Sequence, residues 1–202
     1  MASLYFMYGT MDAGKTANLL MTAHNYEKQG KKCLLLKPIQ DTRSNKVSSR
    51  IGISRDATEV NANDNILDIF VKENAIANVS IVLVDEVQFF SVEHIRQMAS
   101  IVDKYDIPVM TFGLKNSFKD GKVFESITEL IYQADNIQEL KSMCSHKDCC
   151  RKATHHLMIS NNRVNKCGST VCIGDTKEEV TYYKSVCRKH YYEFNNGDLY
   201  ED

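Results

Sequence analysis

The 202-residue chain is 43% hydrophobic and 25% charged, with a formal net charge of −1. That balance belongs to a globular protein and offers no bulk attraction for nucleic acid or an acidic membrane. No apolar run nears the roughly 18 residues of a spanning helix, and no basic segment with a long apolar stretch opens the chain, so the expected location is cytoplasmic.

In chain order, Ser3 to Tyr8 reads as a buried strand running into Gly9-Thr10-Met11-Asp12-Ala13-Gly14-Lys15-Thr16. This is a phosphate-binding loop of the form G-x-x-x-x-G-K-[ST]. Its glycines let successive backbone N–H groups curl around an anion, Lys15 reaches the β/γ-phosphates, and the Thr16 hydroxyl is suited to Mg²⁺. The helix that follows, from Ala17, turns its positive N-terminal end toward the phosphates and stops near Gly30. A second strand, Cys33 to Lys37, ends at Pro38. The polar stretch Gln40 to Lys46 reads as a mobile loop, and Asn65 to Lys72 as a short helix. Val79 to Val84 is a buried parallel strand rich in β-branched residues. Val92 to Tyr105 has helical spacing, Pro108 to Phe112 is the next strand, and Ser126 to Ala134 the next helix. This alternation predicts an α/β fold, a parallel sheet flanked by helices.

The strand at 79–84 ends in Asp85-Glu86, at the carboxyl end of a sheet where ligands bind. Asp85 is placed to hold Mg²⁺, and Glu86 to take a proton from an attacking hydroxyl or water. Phe89 and Phe90 follow Asp85-Glu86-Val87-Gln88, and Phe112, Phe118 and Phe124 cluster around the next strand end, where some can stack on a flat base and others pack the core. From Met143 the composition shifts to Cys, His, Lys, Asn and Gly. Of seven cysteines, Cys33 sits in an apolar strand and reads as core. The others, Cys144, Cys149, Cys150, Cys167, Cys172 and Cys187, fall in the last third, a distribution that favours metal ligation over disulfides in a reducing compartment. The expected organisation is a nucleotide-binding domain over 1–142, a small metal-stapled domain over 143–192, and a loose acidic tail over 193–202.

The phosphate loop, together with Asp85-Glu86-Val87-Gln88-Phe89-Phe90, resembles the phosphate-loop, zinc-containing (type II) thymidine kinases. Phe112-Gly113-Leu114-Lys115-Asn116-Ser117-Phe118 and Tyr183 to Tyr191 extend the resemblance over about residues 4 to 192. It implies a thymidine kinase that uses ATP and Mg²⁺, with Glu86 as general base and Lys15, Thr16 and Asp85 serving triphosphate and metal. Gln88 falls within the matching segment and is assigned to the same nucleotide site. Asp41-Thr42-Arg43 matches an element linked to donor binding, through Asp41 and Arg43. Phe118 would stack on the base, with Met11, Phe89, Leu114 and Phe124 lining the pocket. A lasso-like loop, here Val171, Cys172, Ile173, Gly174, Asp175 and Tyr183, would close over the nucleoside. Thr10 and Asp12 stand where the family has a proline and commonly an aromatic residue, and the Asp12 side chain is expected to point away from the phosphates. The resemblance also implies a homotetramer inhibited by thymidine triphosphate.

A structural Zn²⁺ takes two close pairs of N/S ligands. Cys187-x-x-His190 supplies one pair. The resemblance aligns Cys149 in the other, with Cys144 as its partner, while His146 and Cys150 compete for the same places. Two other functions fit the residues: a deoxynucleoside kinase with another base preference, or a nucleotide-gated zinc ribbon that binds nucleic acid. The latter would use Arg151-Lys152 and Arg188-Lys189, which Asp148, Glu178, Glu179 and Glu193 dilute.

Overall fold

A computed structural model of the protein describes residues 1–39, 46–49, 52–119, 121–166 and 181–200. In chain order the elements are β1 (Leu4–Tyr8), α1 (Lys15–Lys28), β2 (Lys32–Pro38), β3 (Lys46–Ser48), β4 (Ser54–Asp56), β5 (Thr58–Val60), α2 (Ile66–Ala77) and β6 (Val79–Val84). A 3₁₀ turn (Val87–Phe89), α3 (Val92–Tyr105), β7 (Val109–Gly113), α4 (Glu125–Gln133), β8 (Asn136–Glu139), β9 (His155–Ser160), β10 (Arg163–Asn165), β11 (Thr181–Val186) and α5 (Arg188–Glu193) follow.

These elements form two compact units whose chain segments interleave. The first comprises residues 1–8, 14–113 and 125–139, the second 9–13, 114–124 and 140–202. In the first unit six strands in the order β5-β2-β6-β7-β1-β8 pair in parallel. The fold is α/β, as the strand–helix alternation predicts. Helix α1 packs on β2, β6 and β7, α3 on β7 and β1, and α4 on β1. The middle strands are apolar on both faces because helices cover them: Leu34 and Leu35, Val82 and Leu83, and Val109 and Phe112 are all buried. β1 and β6 both pair with β7, and their carboxyl ends carry the chain into the phosphate loop and into Asp85-Glu86.

Several elements escape the sequence patterns. β8 is polar and mostly exposed, an edge strand held by backbone pairing to β1 alone, so no alternation marks it. β5 is a three-residue edge strand. Helix α2 runs past Lys72 to Ala77 and stops where Asn78 takes φ 51°, a left-handed C-cap. Lys46, the end of the expected loop, opens the hairpin β3–β4, and the rest of that loop lies outside the described residues.

In the second unit β10-β9-β11 form an antiparallel sheet. Asn161 and Asn162, at φ 50° and 59°, turn β9 into β10, the two left-handed positions that a tight hairpin demands. Its core joins Cys144, Leu157, Ile159, Val164, Val186, Cys187, Tyr191 and Tyr200. The tail expected to be loose over 193–202 is packed as far as Tyr200: Tyr200 is buried, and its N–H donates to the Asn162 carbonyl at 2.9 Å. Phe194 packs on the same core, and the Val164 N–H donates to the Asp198 carbonyl at 2.8 Å. Among the described residues no helix is long and apolar enough to cross a membrane.

Candidate active site and metal cluster

The phosphate loop bends where its residue types allow. At Gly9 a Cβ would stand 2.5 Å from the Leu140 carbonyl oxygen, so a side chain there would collide with backbone. The Ala13 N–H donates to the Thr10 carbonyl at 3.3 Å, closing a turn. Asp12 and Gly14 then take left-handed backbone, φ 63° and 76°. Asp is one of the few residue types that enters this region at low cost, which gives Asp12 a backbone role; it is solvent-exposed.

Helix α1 starts at Lys15 with Gly14 as its N-cap, and neither a capping side chain nor an acidic first turn occupies its leading N–H groups. Such an end is suited to an anion. Lys15 is buried, and the Thr16 hydroxyl donates to Asp85 Oδ2 at 3.2 Å. The Glu86 N–H donates to Asp85 Oδ1 at 3.1 Å. Burial, then the neighbouring charge of Glu86, pushes the Asp85 carboxyl up to about 7, against the Glu86 N–H, the Thr16 hydroxyl and Lys15, which favour its ionised form. A hydroxyl and a buried carboxylate paired in this way match the Mg²⁺ arrangement of phosphate-loop enzymes.

Glu86 has φ 49°, an uncommon conformation for its residue type and a cost that cofactor and catalytic sites often carry. Its Oε2 accepts from Gln88 Nε2 at 2.7 Å. Gln88 is buried, and its carbonyl accepts from the Ser126 hydroxyl at 2.9 Å. A Cβ on Gly113 would stand 2.5 Å from Gln88 Oε1. Gly113 thus leaves room for the Gln88 side chain, Ser126 binds the Gln88 backbone carbonyl, and the Gln88 amide restrains the Glu86 carboxylate. Sequence reading places Gln88 in the site but gives it no orienting task, and it misses Ser126. A glycine ending an apolar strand was the one available signal for Gly113. Phe89 is half-buried, and Phe90 is buried with its ring edge-on to His94.

Residues 9–13 belong to the second unit, and their partners lie within it. Met11 is half-buried; its N–H donates to His156 Nε2 and its carbonyl accepts from the Ser185 hydroxyl, both at 2.9 Å. The Thr10 and Ser142 hydroxyls lie 2.5 Å apart. Leu114 and Phe118 are buried and Phe124 is half-buried. The Phe118 ring meets Tyr183 edge-on at 5.5 Å between centroids, and its carbonyl accepts from the Tyr191 hydroxyl at 3.0 Å. Asp41, Arg43, Val171, Cys172, Ile173, Gly174 and Asp175 lie outside the described residues.

Cys144, Cys149, Cys187 and His190 gather with their ligand atoms all within 4.8 Å of one another. Cys144 Sγ lies 3.3 Å and Cys187 Sγ 3.6 Å from His190 Nδ1. Ligands 2.0–2.3 Å from a tetrahedral zinc stand about 3.3–3.8 Å apart; the two distances to His190 meet that spacing, and the cluster as a whole is compatible with zinc. The other His190 nitrogen, Nε2, faces Glu193 at 3.6 Å, the outer carboxylate that metal-binding histidines commonly have. Burial raises the Cys187 thiol, but the N–H groups of His190 and Lys189 and the neighbouring cysteines prevail and lower it overall. Burial, then the neighbouring His146, pushes His190 below its usual range, toward the neutral form that ligation requires. Of the two competitors, Cys150 is exposed, and the His146 ring stacks on His190 at 3.9 Å.

The sequence profile of the thymidine kinase family matches residues 2–191. The chain belongs to that family. It is 43% identical to the thymidine kinase of Enterobacteria phage T4, over 96% of this chain and 97% of that one. The thymidine kinase of Francisella tularensis subsp. tularensis is 42% identical over 96% and 98% of the two chains. That of Rhodopirellula baltica is 41% identical over 96% and 89%.

Proposed function

We propose that this chain transfers the γ-phosphate of ATP to the 5′-hydroxyl of thymidine, giving thymidine monophosphate and ADP. The observation that carries the reading is Glu86, aimed by Gln88 one residue beyond the Asp85–Thr16 pair, in a chain of the thymidine kinase family. Glu86 accepts the proton of the 5′-hydroxyl as that oxygen bonds to the γ-phosphorus and ADP leaves with the electrons of the broken bond. Lys15 and the leading N–H groups of α1 balance the charge on the phosphate oxygens, so the protein contributes positioning and electrostatics. Thr16 and Asp85 would hold Mg²⁺, which neutralises phosphate charge when bound.

The thymine base is assigned to Met11, Phe89, Leu114, Phe118, Phe124 and Tyr183. Thymine differs from uracil by one methyl, worth about 1–3 kcal/mol in an apolar pocket, so preference over deoxyuridine is expected to be graded. Cys144, Cys149, Cys187 and His190 would hold a structural zinc with no open position. The same reading includes a cytoplasmic homotetramer, inhibited by thymidine triphosphate, that salvages nucleosides for DNA synthesis. Incubation with Mg-ATP and each deoxynucleoside in turn tests the activity. Thymidine monophosphate is expected as the main product; a different main product would assign another base preference, and no monophosphate from any nucleoside would reject the kinase.

A further inference from the structure

Met11 has both backbone polar groups taken by side chains of one strand pair. Its N–H donates to His156 Nε2 and its carbonyl accepts from the Ser185 hydroxyl, each at 2.9 Å. His156 on β9 and Ser185 on β11 face one another directly in the ladder, and both are buried, at 1% and 5% exposure. The arrangement uses the residues' chemistry in opposite senses. An imidazole nitrogen accepts only when it carries no proton, and a hydroxyl is free to donate.

The bonds restrain two consecutive peptide planes. In the Thr10–Met11 plane the Met11 N–H is held by His156 and the Thr10 carbonyl by the Ala13 N–H. In the Met11–Asp12 plane Ser185 holds the carbonyl. Because a trans peptide points its N–H opposite to its carbonyl, this bond also sets the direction of the Asp12 N–H. Asp12 then takes left-handed backbone at φ 63°. Anion-binding loops depend on such fixed N–H directions; a peptide free to flip presents a carbonyl oxygen where a donor is needed.

We infer that His156 and Ser185 are positioning residues for the phosphate loop: they lock the two peptides around Met11 and so pre-set the loop for a nucleoside triphosphate. The inference rests on reading Gly9 to Thr16 as the ATP phosphate loop. Nothing in the phosphate-loop pattern or in the acidic strand end calls for a histidine or serine more than a hundred residues downstream.

The test compares His156→Leu, His156→Gln and Ser185→Ala with the unmodified chain. Mg-ATP binding is measured by calorimetry without nucleoside, ATP KM and kcat with thymidine, and bound metal and melting temperature as controls. His156→Leu removes the acceptor, and Mg-ATP affinity should fall roughly tenfold, the size of one buried hydrogen bond, with ATP KM rising more than kcat falls. Ser185→Ala should weaken Mg-ATP in the same direction. His156→Gln places a carbonyl oxygen near the lost nitrogen and should recover most of the affinity. Should His156→Leu fail to fold, Ser185→Ala and the glutamine variant decide. Folded variants that bind Mg-ATP within about twofold of the unmodified chain would overturn the inference, as would a leucine defect that glutamine does not relieve. If the unmodified chain itself binds no Mg-ATP, the reading of the phosphate loop fails instead.

Discussion

At the residue scale, Asp85 and Glu86 share one backbone but not one environment. Asp85 is buried against Thr16, whereas Glu86 is half-exposed and tied to Gln88. Replacing Glu86 by Gln should leave Mg-ATP binding intact and lower kcat by about 10²–10⁴, the worth of a positioned base. Gln88→Ala should cost about tenfold in kcat with little change in ATP affinity, because it releases the base without removing it. Single-turnover rates beside equilibrium binding separate the two effects; a Gln88→Ala loss lying wholly in ATP affinity would contradict the orienting role.

Asp85 also sets a pH dependence. Its carboxyl is pushed up to about 7 by burial and by Glu86, from about 3.9 for an exposed Asp. The folded protein thus holds this proton more tightly than the unfolded chain, so its stabilising contribution is present at low pH and lost as pH rises from about 4 to 7. Without divalent cation, raising the pH through that window should lower the melting temperature, and Asp85→Asn should flatten the slope. With Asp85 proposed as a Mg²⁺ ligand in its ionised form, Mg-ATP binding should release a proton below about pH 7, visible in calorimetry as a dependence on buffer ionisation enthalpy. The adjacent pair was legible because its two members are consecutive. Ser126, His156 and Ser185 were not, since each serves the site from an element remote in sequence.

At the element scale, legibility follows burial. The strands β2, β6 and β7 announce themselves as apolar runs because helices cover them, whereas β8 is held by backbone bonds that side-chain pattern does not record. The Cys/His cluster is a further case. Spacing alone offered Cys144, His146, Cys149 and Cys150 for two places. The fold leaves Cys150 at the surface and draws Cys144 and Cys149 beside Cys187 and His190. Cys187→Ser should drop bound zinc from about one per chain toward none. It should also lower the melting temperature, since Cys187 lies in the core with Tyr191, Leu157 and Val186. Cys150→Ser should change neither. Metal analysis and thermal melts on the two variants read this directly; full zinc occupancy in Cys187→Ser would remove that residue from the ligand set.

At the scale of the whole molecule, chain order and compactness divide the protein differently. A sequence reading places a boundary near residue 142, where composition changes. The compact units instead gather residues 9–13 and 114–124 with 140–202, because the partners of those short segments lie late in the chain. Met11 is held by His156 and Ser185, Thr10 meets Ser142, and the Phe118 carbonyl accepts from Tyr191. A fragment of residues 1–142 keeps every strand of the parallel sheet but loses all of those partners except Ser142. It should retain α/β circular dichroism while exposing Leu114 and Phe118, which are buried in the intact protein. The lost bonds at Met11 should weaken Mg-ATP binding by tenfold or more, taking about 1–3 kcal/mol for each buried polar group left unsatisfied. Calorimetry on the fragment and the full chain under one set of conditions measures the difference. Equal affinities would mean that Gly9 to Thr16 keeps its shape by local geometry alone, and that the late strands serve some other part of the reaction.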